Sequence, residues 1–217
     1  GKPCYAWCWK IMSPNLGFEV KKGYDLESEG YNAGGSGEVG TMADIPASDL
    51  YLNGVAFVVS SDWPGKKKIS LVGQFEWNVD TTWRLVDKMS IGYPTTNQWY
   101  WKTSSTGGIM GFENQVCNLY NPGGWVCDAI QYTPSDATNG AGVAGSFDLA
   151  GDSNYTKGHI SQYVYVDSTK TGTSNVLFRY GHRIYSGNVS VGLFPAGLAV
   201  EPGYYTETRD FWITFSW

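Results

Sequence analysis

This 217-residue sequence predicts an all-β fold, a single β-sandwich or jelly-roll-like domain of about ten strands with long glycine-rich loops. Three observations predict it. Apolar and polar side chains alternate with a period of two in several segments. Clusters of Gly, Pro, Asn and Asp break the chain at intervals of roughly 8 to 20 residues. No segment holds a 3.6-residue period for more than one or two turns.

The first expected elements are loops. The stretch 30–40 contains Gly34-Gly35-Ser36-Gly37 and reads as surface loop, and 41–52 is the one place where a short helix fits. A strand over 55–60 follows, closed by the turn Asp62-Trp63-Pro64-Gly65. The strongest pattern lies over 68–79, where Ile69, Leu71, Phe75, Trp77 and Val79 share one face and Lys68, Ser70, Gln74, Glu76 and Asn78 the other. Gly73 within it predicts a bulge, and Lys66-Lys67-Lys68 before it reads as a solvated hairpin end that discourages edge pairing. Further strands are expected over 83–91, 98–102, 115–120, 126–132, 160–166, 175–185 and 189–194. A last one runs to the C-terminus, where Phe211, Ile213, Phe215 and Trp217 alternate with Trp212, Thr214 and Ser216. The stretch 135–154, poor in core material, reads as a second long loop. The same β texture resumes on each side of both loops, so 1–217 reads as one domain.

Four cysteines, Cys4, Cys8, Cys117 and Cys127, in a chain rich in Gly and Tyr favour disulfides and an oxidising compartment. Zinc ligands would normally lie two to four residues apart, which 117/127 does not satisfy. Asn121-Pro122-Gly123-Gly124 folds the chain between them and predicts a Cys117–Cys127 bridge across a hairpin. Cys4 and Cys8 would stand about 13 Å apart in a straight strand. Either the chain turns at Tyr5-Ala6-Trp7 and joins them, or each pairs elsewhere.

Composition excludes several functions. A net charge of −5 argues against a nucleic-acid binder, which needs a basic face to displace counterions. The 16% aromatic content argues against disorder. No apolar run approaches the roughly 18 to 20 residues of a membrane helix. Gly1-Lys2-Pro3-Cys4 leads into no apolar signal segment, as expected of a mature or trimmed secreted protein.

Catalytic patterns are sparse. A jelly roll with two carboxylates in a concave face is a glycosidase layout, with the acids about 5 Å apart in retaining enzymes and more than about 6.5 Å in inverting ones. Glu76 and Glu113 are the candidates if the chain is an enzyme, although Glu76 lies on a polar face that reads equally as solvated sheet. No Gly-x-Ser-x-Gly elbow occurs, and His159 and His182 read as satisfied structural histidines. Asp148, Asp152 and Asn154 have some calcium-loop spacing without the closing acid, so no metal and no cofactor are expected. Asn154-Tyr155-Thr156 and Asn188-Val189-Ser190 are glycosylation sequons in a eukaryotic secretory path.

The ten Trp and 15 Tyr are the anomaly. Core packing accounts for Trp77, Trp212 and Trp217. Trp99-Tyr100-Trp101 sets large rings on both faces of one short strand, more than a one-sided core can hold. Trp63 sits in a turn and Trp125 follows Gly123-Gly124 at a hairpin tip. Sugars present flat CH faces that stack on such rings while Asp, Asn and Gln satisfy their hydroxyls. Trp99, Tyr100, Trp101, Trp63 and Trp125 are therefore the candidate ligand-binding rings, with Asp62, Asn97 and Gln98 as polar partners; burial in the core is the competing reading for each ring.

Val189-Ser190-Val191-Gly192-Leu193-Phe194-Pro195-Ala196-Gly197-Leu198, then Pro202-Gly203-Tyr204 and a terminal alternating strand, resembles the closing strands of receptor-binding domains from chaperone–usher pilus tip adhesins. The resemblance covers under a quarter of the chain. It implies a secreted β-sandwich with one or two disulfides, displayed at a pilus tip or in a larger assembly, that attaches to a host glycan or glycoprotein without catalysis. It carries over no binding residue. A polysaccharide-acting jelly-roll enzyme and a viral capsid or spike receptor-binding domain are the rival expectations.

Overall fold

The computed structural model describes residues 45–153 and 155–217. Cys4, Cys8, the 30–40 loop and Asn154 lie outside the described residues. Among the described residues twelve strands run in order: β1 (Leu50–Val59), β2 (Lys66–Trp77), β3 (Val86–Gly92), β4 (Phe112–Tyr120), β5 (Gly124–Cys127), β6 (Asp136–Thr138), β7 (Gly142–Asp148), β8 (Tyr155–Asp167), β9 (Thr173–Arg183), β10 (Val191–Phe194), β11 (Gly197–Val200) and β12 (Thr206–Ser216). They form two five-stranded antiparallel sheets, β1-β2-β8-β4-β5 and β12-β9-β3-β7-β6, and a separate β10–β11 hairpin. The fold is all-β, a β-sandwich.

The period-two pattern decides which side chains fill the interlayer. Ile69, Leu71, Phe75 and Trp77 of β2 join Met89 and Ile91 of β3, Phe147 of β7, Ile160 and Val164 of β8, and Phe178 and Tyr180 of β9 in one apolar cluster drawn from both sheets. Phe75 meets Phe147 edge-on at 4.9 Å and Tyr180 at 4.6 Å, closing the layers on each other. Lys68, Ser70, Gln74 and Glu76 fall on the opposite, outer face.

Several expectations are corrected. Gly73 is no bulge: it pairs in register with Gly54 on one side and Ile160 on the other. A Cβ on either glycine would run into the Phe178 ring, so the Gly54–Gly73 pair is the niche that admits it. The described part of 41–52 is a turn at 47–49 that leads into β1. The expected loop 135–154 contains β6 and β7, and β7 is almost wholly buried. The segment 98–102 forms only a bridge, Tyr100 to Tyr165. Lys66, Lys67 and Lys68 lie on β2, an interior strand between β1 and β8, so they guard no sheet edge. Trp212 is half-buried on β12, beside Leu177 in register, outside the interlayer cluster.

Candidate functional site

The reversal between β1 and β2 is made by Asp62-Trp63-Pro64-Gly65, with Gly65 at φ +74°, a left-handed conformation natural to glycine. The Lys66 amide donates to the Trp63 carbonyl (3.1 Å), and the Trp63 amide donates to the Ser61 hydroxyl (3.2 Å). The Ser168 amide donates to the Gly65 carbonyl (2.9 Å), tying this turn to the one between β8 and β9. An indole is thus held on a braced turn and left 36% exposed. Beside it β8 sets Tyr165 opposite Lys68 and Tyr163 opposite Ser70 on the outer face of the first sheet. The Trp63 and Tyr165 rings meet edge-to-face at 5.3 Å.

Asp62 organises the charge here. Its Oδ1 accepts from the Tyr165 hydroxyl (2.7 Å) and lies 3.1 Å from Lys68 Nζ, and its Oδ2 accepts from Lys102 Nζ (3.2 Å). These donors, Tyr165 foremost and then Lys68 and Lys102, hold the Asp62 carboxyl well below the usual carboxylate range. Burial, and next the Asp62 carboxylate, push the Tyr165 phenol well above its ordinary value. Lys68 Nζ stands 4.1 Å from the Tyr163 ring centroid, and Lys102 Nζ 5.9 Å from that of Trp63. A carboxyl held this low stays ionised at neutral pH and makes a poor general base. The arrangement suits recognition: rings for stacking, with fixed ammonium groups beside them.

The other candidate residues are dispersed. Trp99 is fully buried, 4.7 Å from Trp217 and 5.3 Å from Tyr93, and Trp101 belongs to the same interlayer cluster. Both are core rings and are corrected as ligand-stacking candidates: the interlayer extends past the strand ends and absorbs them. Tyr100, between them, is 48% exposed, and its ring leans over Gly140 in the turn between β6 and β7. Asn97 closes a 3₁₀ turn (Thr95–Asn97), half-buried with its side-chain amide nitrogen inside, while Gln98 is exposed at φ +54°.

Trp125 faces outward near the Tyr155 end of β8, with Lys157 Nζ over its ring at 4.1 Å. Ten residues of strand, about 33 Å, separate Tyr155 from Tyr165. Trp63 and Trp125 therefore do not belong to one site.

Glu76 and Glu113 share the outer face of the first sheet. Glu113 aligns through Ser161 with Val72, two strands across and four residues along from Glu76. That offset puts their Cα atoms about 16 Å apart, too far for the two carboxyls to meet at the roughly 5 Å of a retaining pair. The Cys117–Cys127 disulfide is present, and the two residues face each other across β4 and β5. Among the described residues no three His, Cys, Asp or Glu side chains come together as a metal-ligating group. No helix among the described residues is long and apolar enough to cross a membrane.

Sequence reasoning missed Tyr163, Tyr165, Lys68 and Lys102 at the Trp63 surface. Tyr163 and Tyr165 alternate with buried Val164 and Val166, a signal for an aromatic outer face. It also missed a ring cluster at the opposite end, where Tyr185 lies between Trp83 (5.7 Å) and Tyr205 (5.9 Å). Beneath that end Asp87, fully buried, accepts from the Tyr180 hydroxyl (2.5 Å) and the Arg183 amide (2.8 Å) and lies 2.9 Å from His182 Nδ1. Burial pushes the Asp87 carboxyl up against the opposing pull of His182.

No family model matches the chain, and no curated protein matches it. Among solved structures it is similar to Clostridium perfringens delta-toxin at a TM-score of 0.34 and 8% identity, over 80% of this chain and 85% of that one.

Proposed function

We propose that this domain is a secreted receptor-binding module, adhesin-like and non-catalytic, that recognises a carbohydrate or glycoprotein at the Trp63 surface. The observation that carries the reading is the exposed Trp63 indole on a turn whose Asp62 is locked by Tyr165, Lys68 and Lys102. Prefixed groups lose little side-chain freedom when a ligand arrives. Trp63 and Tyr163 supply stacking faces, and the two ammonium groups supply hydrogen-bond donors. The Cys117–Cys127 bridge supports an oxidising, extracellular setting. Display at a pilus tip follows only from the resemblance of the closing strands and is part of the proposal.

The test compares rings. Trp63→Ala and Tyr163→Ala should each lower binding on a glycan array at least tenfold while melting within a few degrees of the parent. Trp99→Ala should instead destabilise by about 3 to 5 kcal/mol, the cost of truncating a buried Trp. Glycan binding that survives both surface substitutions would refute the assignment.

A further inference from the structure

The chain carries a net charge of −5, yet its charge is unevenly placed. Of the seven lysines among the described residues, Lys66, Lys67, Lys68, Lys102 and Lys170 gather at the Trp63 end, and only Lys88 and Lys157 lie elsewhere. The acidic side chains paired with them are Asp62 and Asp167. Among the described residues, five lysines against these two aspartates leave an excess of three positive charges at this end of the sandwich.

The hydrogen-bonding inventory is equally one-sided. An ammonium offers three donors and no acceptor. Asp62 already receives Tyr165, Lys68 and Lys102, and Asp167 receives the Thr169 amide and hydroxyl at 3.0 and 2.7 Å with Lys66 at 3.8 Å. Lys67, on the other face of β2, donates to the Lys170 carbonyl (2.6 Å) and holds the β8–β9 turn, while the Asp167 carboxylate feels the charges of both Lys66 and Lys170. A neutral sugar presents hydroxyls that need acceptors as well as donors. This surface has spare donors and few spare acceptors, so its complement is rich in acceptor oxygens and negatively charged.

We infer that the Trp63 surface takes an acidic glycan, one bearing carboxylate or sulfate groups, with a sugar face on Trp63 and its anionic substituent among Lys66, Lys102 and Lys170. The inference rests on the proposed glycan-binding role of the same surface and specifies its ligand class. Attraction between exposed charges is screened over about 8 to 10 Å at ordinary ionic strength, so binding should weaken with salt.

The experiment titrates the domain with sialyllactose and lactose, with a sulfated hexasaccharide and its desulfated form, and with phosphatidylserine vesicles, at 50 and 500 mM salt. Both acidic sugars should bind at least tenfold more tightly than their neutral counterparts at low salt and lose most of that margin at high salt. Lys102→Gln and the double variant Lys66→Gln/Lys170→Gln should each weaken acidic-sugar binding at least fivefold with unchanged circular dichroism and melting. Lys66 opens β2 half-buried and Lys170 is exposed between β8 and β9, and neither holds Asp62, so the double variant stays informative if Lys102→Gln misfolds. Equal binding of acidic and neutral sugars, or folded Lys variants that bind as the parent does, would overturn the inference and leave the glycan reading standing. Silence toward every sugar would overturn both. Vesicle binding in place of sugar binding would overturn the inference in favour of an anionic lipid surface.

Discussion

Trp63 and Trp99 are the same residue type in opposite roles, and their partners decide which. Trp63 meets one ring edge-on and leaves a face open, while Trp99 is enclosed by Tyr93, Phe215 and Trp217. Asp87 is the residue on which the opposite end of the interlayer depends. Removing its carboxylate would strand the Tyr180 hydroxyl, the Arg183 amide and His182 in a dry site. Leaving a buried polar group without its partner costs about 1 to 3 kcal/mol, and three lose theirs together, so Asp87→Ala should lower stability by at least about 3 kcal/mol in urea denaturation. Tyr180→Phe, which removes one donor to Asp87 and also takes the acceptor (3.1 Å) from the buried Trp77 indole N–H, should cost about 1 to 3 kcal/mol. A melt of Asp87→Ala like that of the parent would show that this network contributes nothing. At this scale the turn signal at Asp62-Trp63-Pro64-Gly65 was readable in the chain, because turn chemistry is local. The burial of Trp99 was not, since it depends on Phe215 and Trp217, more than a hundred residues away.

Most strands were legible because alternation and sheet faces share the period of two. β2, β4, β8, β9 and β12 lie where alternating residues place them, with ends shifted by a few positions. β7 escaped for a physical reason: a strand pressed between close neighbours is built from small residues and carries little hydrophobic signal. A Cβ at Gly142 would strike the Ile91 carbonyl, and one at Gly145 would touch the Asn114 side chain at 3.0 Å. The same logic governs β1 and β2, where Gly54 and Gly73 open a slot for Phe178. Gly54→Val should overpack that slot and destabilise by about 1 to 3 kcal/mol, read as a lower denaturation midpoint. Phe178→Leu in the same chain should recover part of the loss by vacating the space. Additive losses in the double variant would contradict the steric account.

Across the whole molecule, the acidic total conceals a basic end, and pH separates two opposing contributions. Asp62 and Asp167 have carboxyls held below their ordinary 3.8 by hydrogen bonds and lysines, so the stability they add is present above 3.8 and lost as pH falls below it. Asp87 has the reverse sign: its raised value adds stability that is complete below 3.8 and lost as pH climbs through the folded-state value. Asp62→Asn should therefore flatten the acid limb of a melting-temperature profile between pH 5 and 2, and an unchanged limb would contradict the role given to Asp62. Recognition at the Trp63 end requires that the Trp63 indole, and not another, meets the ligand. In a ¹⁵N spectrum of the intact protein titrated with an acidic oligosaccharide, the Trp63 indole N–H should shift in proportion to saturation while those of Trp99 and Trp125 stay still. Shifts at Trp125 with Trp63 unmoved would place recognition about 33 Å away and contradict it.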